Sequence, residues 1–131
     1  MNNQEILNLV TDIYLWFNKI SDPKNSFVEQ DLNKYFTSDF IMQLNDKIIC
    51  SGQESLYQHF EEFRKGGAIL KVQIPFEEII ISEDQKKCIV RYNINIENLS
   101  SEVIKQIKVI AIWHISNNQK LQRMNEVVHY G

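Results

Sequence analysis

The second half of the chain carries four long runs with strand character, at 68–82 (AILKVQIPFEEIIIS), 86–97 (KKCIVRYNINIE), 102–116 (EVIKQIKVIAIWHIS) and 120–130 (KLQRMNEVVHY). Only EDQ, NLSS and NNQ separate them, which are hairpin-length turns, so successive runs are predicted to pair antiparallel. Runs of about 11 residues exceed the usual five or six. Long antiparallel strands twist and bend, so the sheet is expected to be strongly curved. Pro75 marks the first run as an edge strand or a bulge.

The first half changes period. Ile6, Val10, Ile13, Tyr14 and Phe17 fall three or four apart, which is one helix face. Pro23 ends that helix, because the residue before a proline disfavours the helical region. Ser26 and Glu29 have capping-box spacing, and Val28, Leu32, Tyr35 and Phe36 follow as a second, shorter stripe. A strand at 40–44 (FIMQL) and a turn (NDK) into a second strand (IIC) come next. Ser51 and Glu54 repeat the capping-box spacing ahead of a third helical stripe, Leu56, Phe60 and Phe63, closed by Gly66 and Gly67. The expected fold class is α+β. Three N-terminal helices pack on the concave face of a strongly curved, mainly antiparallel sheet, a cone with an internal pocket. The length suits one domain, 1–131.

Alternation assigns the faces of the last two strands. With a tight hairpin at 117–119, Ile107, Val109, Ala111, Trp113 and Ile115 share a face with Met124, Glu126 and Val128. That set is the more apolar and is assigned to the concave side. The other face holds Lys108, Ile110, Ile112 and His114 with Leu121, Arg123, Asn125, Val127 and His129. It is apolar in the middle and polar around it, which suits a partner subunit.

Several function classes are excluded by composition. A formal charge of −3 without a basic run lacks the footprint of a nucleic-acid binder. The first residues lack a basic segment and a small-residue cleavage site, so no secretory signal is read there. No run of about 18 apolar residues suggests a membrane span. Cys50 and Cys88 have no CxxC spacing and read as free thiols of a cytoplasmic protein. There is no HxH or HExxH, no GxSxG and no phosphate-cradling glycine loop, so neither metal nor cofactor is expected.

Three segments carry a family resemblance. YFTSDFIMQLN, 35–45, resembles the passage from second helix to first strand in the nuclear-transport-factor-2-like superfamily, and within it the SnoaL-like proteins. SGQESLYQHFEEF, 51–63, resembles the glycine-led third helix. NNQKLQRMNEVV, 117–128, resembles the closing DGKI…R…E hairpin through Lys120, Leu121, Arg123 and Glu126, with Asn118-Gln119 in place of the usual Asp-Gly. The resemblance implies a cystatin-like α+β cone with a cavity between sheet and helices, and dimerisation through the outer sheet face. It implies no single activity, since the superfamily holds isomerases, dehydratases, epoxide hydrolases, polyketide cyclases and transport adaptors. Ketosteroid isomerases of this fold carry two acids at positions that here fall near Leu44 and on Ala111, with Tyr14 loosely matching their helix-one tyrosine. That activity is not expected.

Glu126 is the leading candidate for chemistry. A carboxyl among apolar groups is driven toward its neutral form, and one titrating near neutrality can act as acid or base. The plainer reading is a bond to the backbone or a pair with Arg91. Asp39 is the second candidate, against a role in turn chemistry. Tyr14, Phe60, Tyr92, Ala111, Trp113, Met124 and Val128 are the candidate pocket walls. Ile110, Ile112, His114, Arg123 and Val127 are the candidate dimer face. His59 reads as a solvated or helix-packed imidazole. The functional expectation is a pocket for a small apolar, polyketide-like or steroid-like molecule, without required turnover. The alternatives are a cofactor-independent isomerase, cyclase, dehydratase or hydrolase using Glu126 or Asp39, and an interaction domain whose cavity is filled by Trp113, Met124, Phe60 and Tyr92.

Overall fold

The structure, a computed structural model, describes residues 2–129; Tyr130 of the last predicted strand lies outside them. The order is α1 (Asn3–Ser21), a 3-10 helix (Glu29–Lys34), β1 (Phe36–Leu44), β2 (Lys47–Ser51), α2 (Gln53–Arg64), β3 (Ile69–Val72), β4 (Glu78–Ile81), β5 (Lys87–Glu97), β6 (Val103–Ile115) and β7 (Leu121–His129). The strands form one seven-stranded sheet in the order β2-β1-β7-β6-β5-β3, with β4 also on β5. The sheet curls into a half-barrel, and the helices pack against it: α1 over β3 and β4, α2 over β1 and β2. This is the expected α+β cone.

Local chemistry explains the elements. Asn2 caps α1: the Glu5 amide donates to its side chain at 2.8 Å, and its own amide donates to the Glu5 carboxylate at 3.1 Å. The helix ends at Ser21, just before Asp22-Pro23, as predicted. Arg64 at the end of α2 donates to the carbonyls of Ile20 and Asn25, tying the two helix ends together. Asn45 and Asp46, with φ of 45° and 69°, make the two-residue turn between β1 and β2. The later hairpins share another design. In each, a carbonyl (Ser82, Asn98, Ser116) accepts from the amide three residues on (Gln85, Ser101, Gln119), and that third residue has positive φ.

Five expectations need correction. The second predicted helix is a 3-10 turn, and its cap is not Ser26: the Val28 amide donates to Asp31 at 2.9 Å instead. At α2 the N-cap is Gly52, at φ 86°, rather than Ser51, whose amide donates to the Ser55 hydroxyl. The first strand begins four residues early, at Phe36, because Phe36 and Phe40 are both core residues. The run 68–82 is two strands, not one. β3 pairs with Ile94–Glu97 and β4 with Cys88–Arg91, and 73–77, containing a cis Ile74–Pro75 bond, loop out between them on the sheet edge. Finally, Leu121 is not on the outer face. The β6–β7 register shifts between His114 and Ile115, so Leu121 pairs Ile115 and Phe36 and is fully buried.

Beyond that bulge the predicted register holds: Val109 opposes Val128, Ala111 opposes Glu126, Trp113 opposes Met124. The odd residues of β6 from Ile107 to Ile115 are buried, and the even ones face out. β7 also pairs with β1, in parallel, setting Leu44 beside Glu126.

Candidate functional site

Between the concave sheet face and the two helices lies a cavity of about 170 Å³. Eight aromatic side chains line it: Tyr14, Trp16 and Phe17 from α1, Phe36 from β1, Phe60 and Phe63 from α2, Tyr92 from β5 and Trp113 from β6. Aliphatic groups including Met42, Leu44, Met124 and Val128 complete the wall. Glu126 and His59 are its ionisable members other than the tyrosines, and no lysine or arginine reaches it.

One end of the cavity is polar. The Trp113 indole donates to the Tyr14 hydroxyl at 3.0 Å, a buried bond between β6 and α1. The Tyr92 hydroxyl also hydrogen-bonds the Tyr14 hydroxyl, and the two rings lie 4.7 Å apart. An indole N–H can only donate, so Tyr14 is the acceptor of that bond. Burial, and secondarily the nearby Glu126 charge, raise both phenols well above their ordinary range, so both stay neutral.

Glu126 stands on β7 between fully buried Ala111 on one neighbouring strand and Leu44 on the other. The short Ala111 leaves lateral room for the longer side chain. Glu126 is half-buried, and its remaining exposure opens on the cavity. Burial pushes its carboxyl up to about 7. Among the described residues no side chain hydrogen-bonds or pairs with it. Arg91, the partner expected in the plainer reading, is bound to Glu77 at 2.8 Å on the far side of the sheet. At neutral pH the carboxyl is therefore divided between its two protonation states, which suits proton exchange or a change of charge on binding.

The cavity gathers Tyr14, Phe60, Tyr92, Trp113, Met124, Glu126 and Val128 from the predicted set. It excludes two residues. Ala111 is on the same face but is covered by its neighbours and does not reach the wall. Asp39 is exposed on β1, outside the cavity, on a stretch where β1 loses register with β7. His59 packs against Phe60 and Phe63 of its own helix, as expected, and it is also half-buried on the cavity wall, where burial lowers its pKa. Trp16, Phe17, Phe36 and Phe63 were missed; Phe17 and Phe63 stood in the apolar stripes of α1 and α2 and Phe36 in the stripe between them, while Trp16 stood in none.

The outer face of β6 and β7 carries Ile110, Ile112, His114, Arg123 and Val127, with Ile110 opposite Val127 and His114 opposite Arg123. Ile89 on β5 pairs with Ile112, and exposed Ile80 on β4 pairs with Ile89, which extends the apolar band across four strands. Arg123 is held by Asn125 at 3.0 Å and Gln43 at 2.7 Å. Among the described residues no cluster of three His, Cys, Asp or Glu side chains is placed to hold a metal, and no helix is long and apolar enough to cross a membrane.

No family model and no curated protein matches the sequence. Solved structures match in shape. The epoxide hydrolase/cyclase-like enzyme SalBIII, with a role in pyran ring formation in the polyether salinomycin, superposes with a TM-score of 0.71 at 11% identity, over 98% of this chain and 93% of that one. AusH from Aspergillus nidulans gives 0.70 at 11% identity, over 98% of this chain and 86% of that one. A nuclear-transport-factor-2-like protein of unknown function from Exiguobacterium gives 0.66 at 14% identity, over 90% and 99%.

Proposed function

We propose, for a chain with the nuclear-transport-factor-2-like fold in its SnoaL-like form, that it binds a small, largely apolar molecule in the cavity, with Glu126 as the polar anchor. The observation that carries this reading is the half-buried Glu126 carboxyl, without a side-chain partner among the described residues, on the wall of an aromatic-lined space. An enclosed carboxyl costs stability unless something compensates it, and an occupant with a polar group is that compensation. Cavity size sets the scale: an engineered cavity of about 150 Å³ in another protein holds one benzene ring. About 170 Å³ is therefore room for one ring rather than for a fused steroid skeleton.

A second reading is favoured by one specific pairing. A carboxyl near neutrality close to a neutral tyrosine hydroxyl is a workable acid–base pair for cofactor-independent isomerisation, cyclisation, dehydration or hydrolysis. The cyclase-like activity described for SalBIII, in a similar cone, lends it support. In that reading Glu126 moves the proton and Tyr14 supports the developing charge. Asp39, outside the cavity, takes no part. The outer sheet face is proposed as the contact between two copies of the chain.

Toluene tests the site directly. Titration at pH 7.5 should raise the Tm with a saturable dose dependence, as expected for a ligand that binds only the folded state. It should also shift the tryptophan fluorescence, since Trp16 and Trp113 both line the wall. No shift in either up to the solubility limit of toluene would remove the reading.

A further inference from the structure

If the cavity is a ligand site, as proposed above, its electrostatics select the charge of the occupant. Glu126 is faced by Tyr14 from α1, by Tyr92 from β5, and by His59 across the cavity from α2; Cys88 on β5 lies beside Tyr14. β1 and β6 present only Leu44 and Ala111 next to it. Burial raises the two phenols and the Cys88 thiol and lowers His59, so all four are neutral near pH 7. Glu126 is then the wall's single source of charge, and its sign is negative. An anionic occupant would meet it with no lysine or arginine to offset the repulsion. A cation would supply the counter-charge that the carboxyl lacks.

The balance of dehydration favours the same occupant. An ion pair formed in a dry site ordinarily costs the dehydration of both partners. Here folding has already taken much of the water from the carboxyl, so binding adds mainly the ligand's share. Aromatic walls lower that share further, since ring faces attract ammonium groups. We propose that the cavity takes a small organic cation of about one ring in size, its ammonium paired with the Glu126 carboxylate and its apolar body against the aromatic walls.

The test compares benzylamine with benzyl alcohol and benzoate, three probes of similar shape and different charge. They are titrated calorimetrically into the full chain from pH 6 to pH 8, in two buffers of different ionisation enthalpy. Benzylamine should bind at least tenfold more tightly than benzyl alcohol at pH 8, and benzoate should not bind. Benzylamine should release up to one proton near pH 6, because pairing ionises Glu126, and its affinity should rise with pH. In Glu126→Gln, benzylamine should fall to the level of benzyl alcohol, while the folded spectrum persists. Benzyl alcohol binding as tightly as benzylamine, benzoate binding with proton uptake, or benzylamine indifferent to the substitution would each overturn the charge selection while leaving the ligand site intact. Failure of toluene and benzylamine alike would overturn both.

Discussion

At the scale of the residue, Glu126 links site and stability. Its carboxyl titrates near 4.5 when exposed and at about 7 in the folded chain. Between those values the folded chain holds a proton that the unfolded chain has released. The folded chain therefore loses stability as pH rises from about 4.5 to about 7, and the loss is constant above that. A shift of this size corresponds to at most about 3 kcal/mol. Glu126→Gln keeps the shape and removes the charge, so at pH 8 the variant should be more stable than the parent by about 1–3 kcal/mol. At pH 4.5 the two should unfold together. Urea midpoints at the two pH values measure this; a variant less stable at pH 8 would mean that the carboxylate has a structural partner after all. The expected direction is that of a functional residue whose placement costs the fold something.

At the scale of the element, the weakest boundary is the free side of β3. It is the sheet's terminal strand, and such an edge leaves backbone groups unpaired. The end of α1 covers it. Asn18 acts as a substitute strand: its amide donates to the Val72 carbonyl at 3.0 Å, and its oxygen accepts from the Val72 amide at 2.8 Å. Buried Ser21 donates to the Leu70 carbonyl at 2.8 Å. Asn18→Ala removes both Val72 bonds and should cost about 1–3 kcal/mol. It should also speed amide exchange at Val72 more than at Ile94, its partner on β5. Equal protection at Val72 in parent and variant would show that the edge does not depend on the clamp.

Neither contact could be read from the sequence, because each joins residues about 50 positions apart through side chain and backbone. What could be read was periodic. The β6–β7 alternation put Glu126, Trp113 and Met124 on one wall, and the α1 and α2 stripes supplied the opposite one. Errors fell where period gives no information. Leu121 turned inward through a single-residue register shift, and Pro75 split one apparent strand into two. Asp39 falls outside the cavity and helix-packed His59 reaches its wall because a strand residue's face depends on register and a helix residue's on the docking angle. The parallel β1–β7 pair that sets Leu44 against Glu126 has no local signature at all.

At the scale of the whole molecule, the half-barrel leaves one large surface without a partner inside the chain. Its concave side is closed by α1 and α2, while the convex side carries Ile80, Ile89, Ile110, Ile112 and Val127 side by side. Val127 is 58% exposed and Ile110 45%. We propose this contiguous band as the contact between two copies of the chain. Lys87, Lys108 and Arg123 stand around the band, while Arg91 within it is paired with Glu77 and Glu78, so a two-fold partner meets this face through its apolar side chains. In a two-fold contact each residue is present twice. One substitution at the centre therefore introduces two charges, each costly to bury without a partner. The parent is expected to sediment as a dimer, and Val127→Glu as a monomer with dissociation at least about 100-fold easier. The cavity lies on the opposite side of the sheet, so toluene should bind the monomeric variant as it binds the parent. A parent that sediments as a monomer would leave the convex band without its proposed cover. A Val127→Glu chain that stays dimeric would place the contact elsewhere on the molecule.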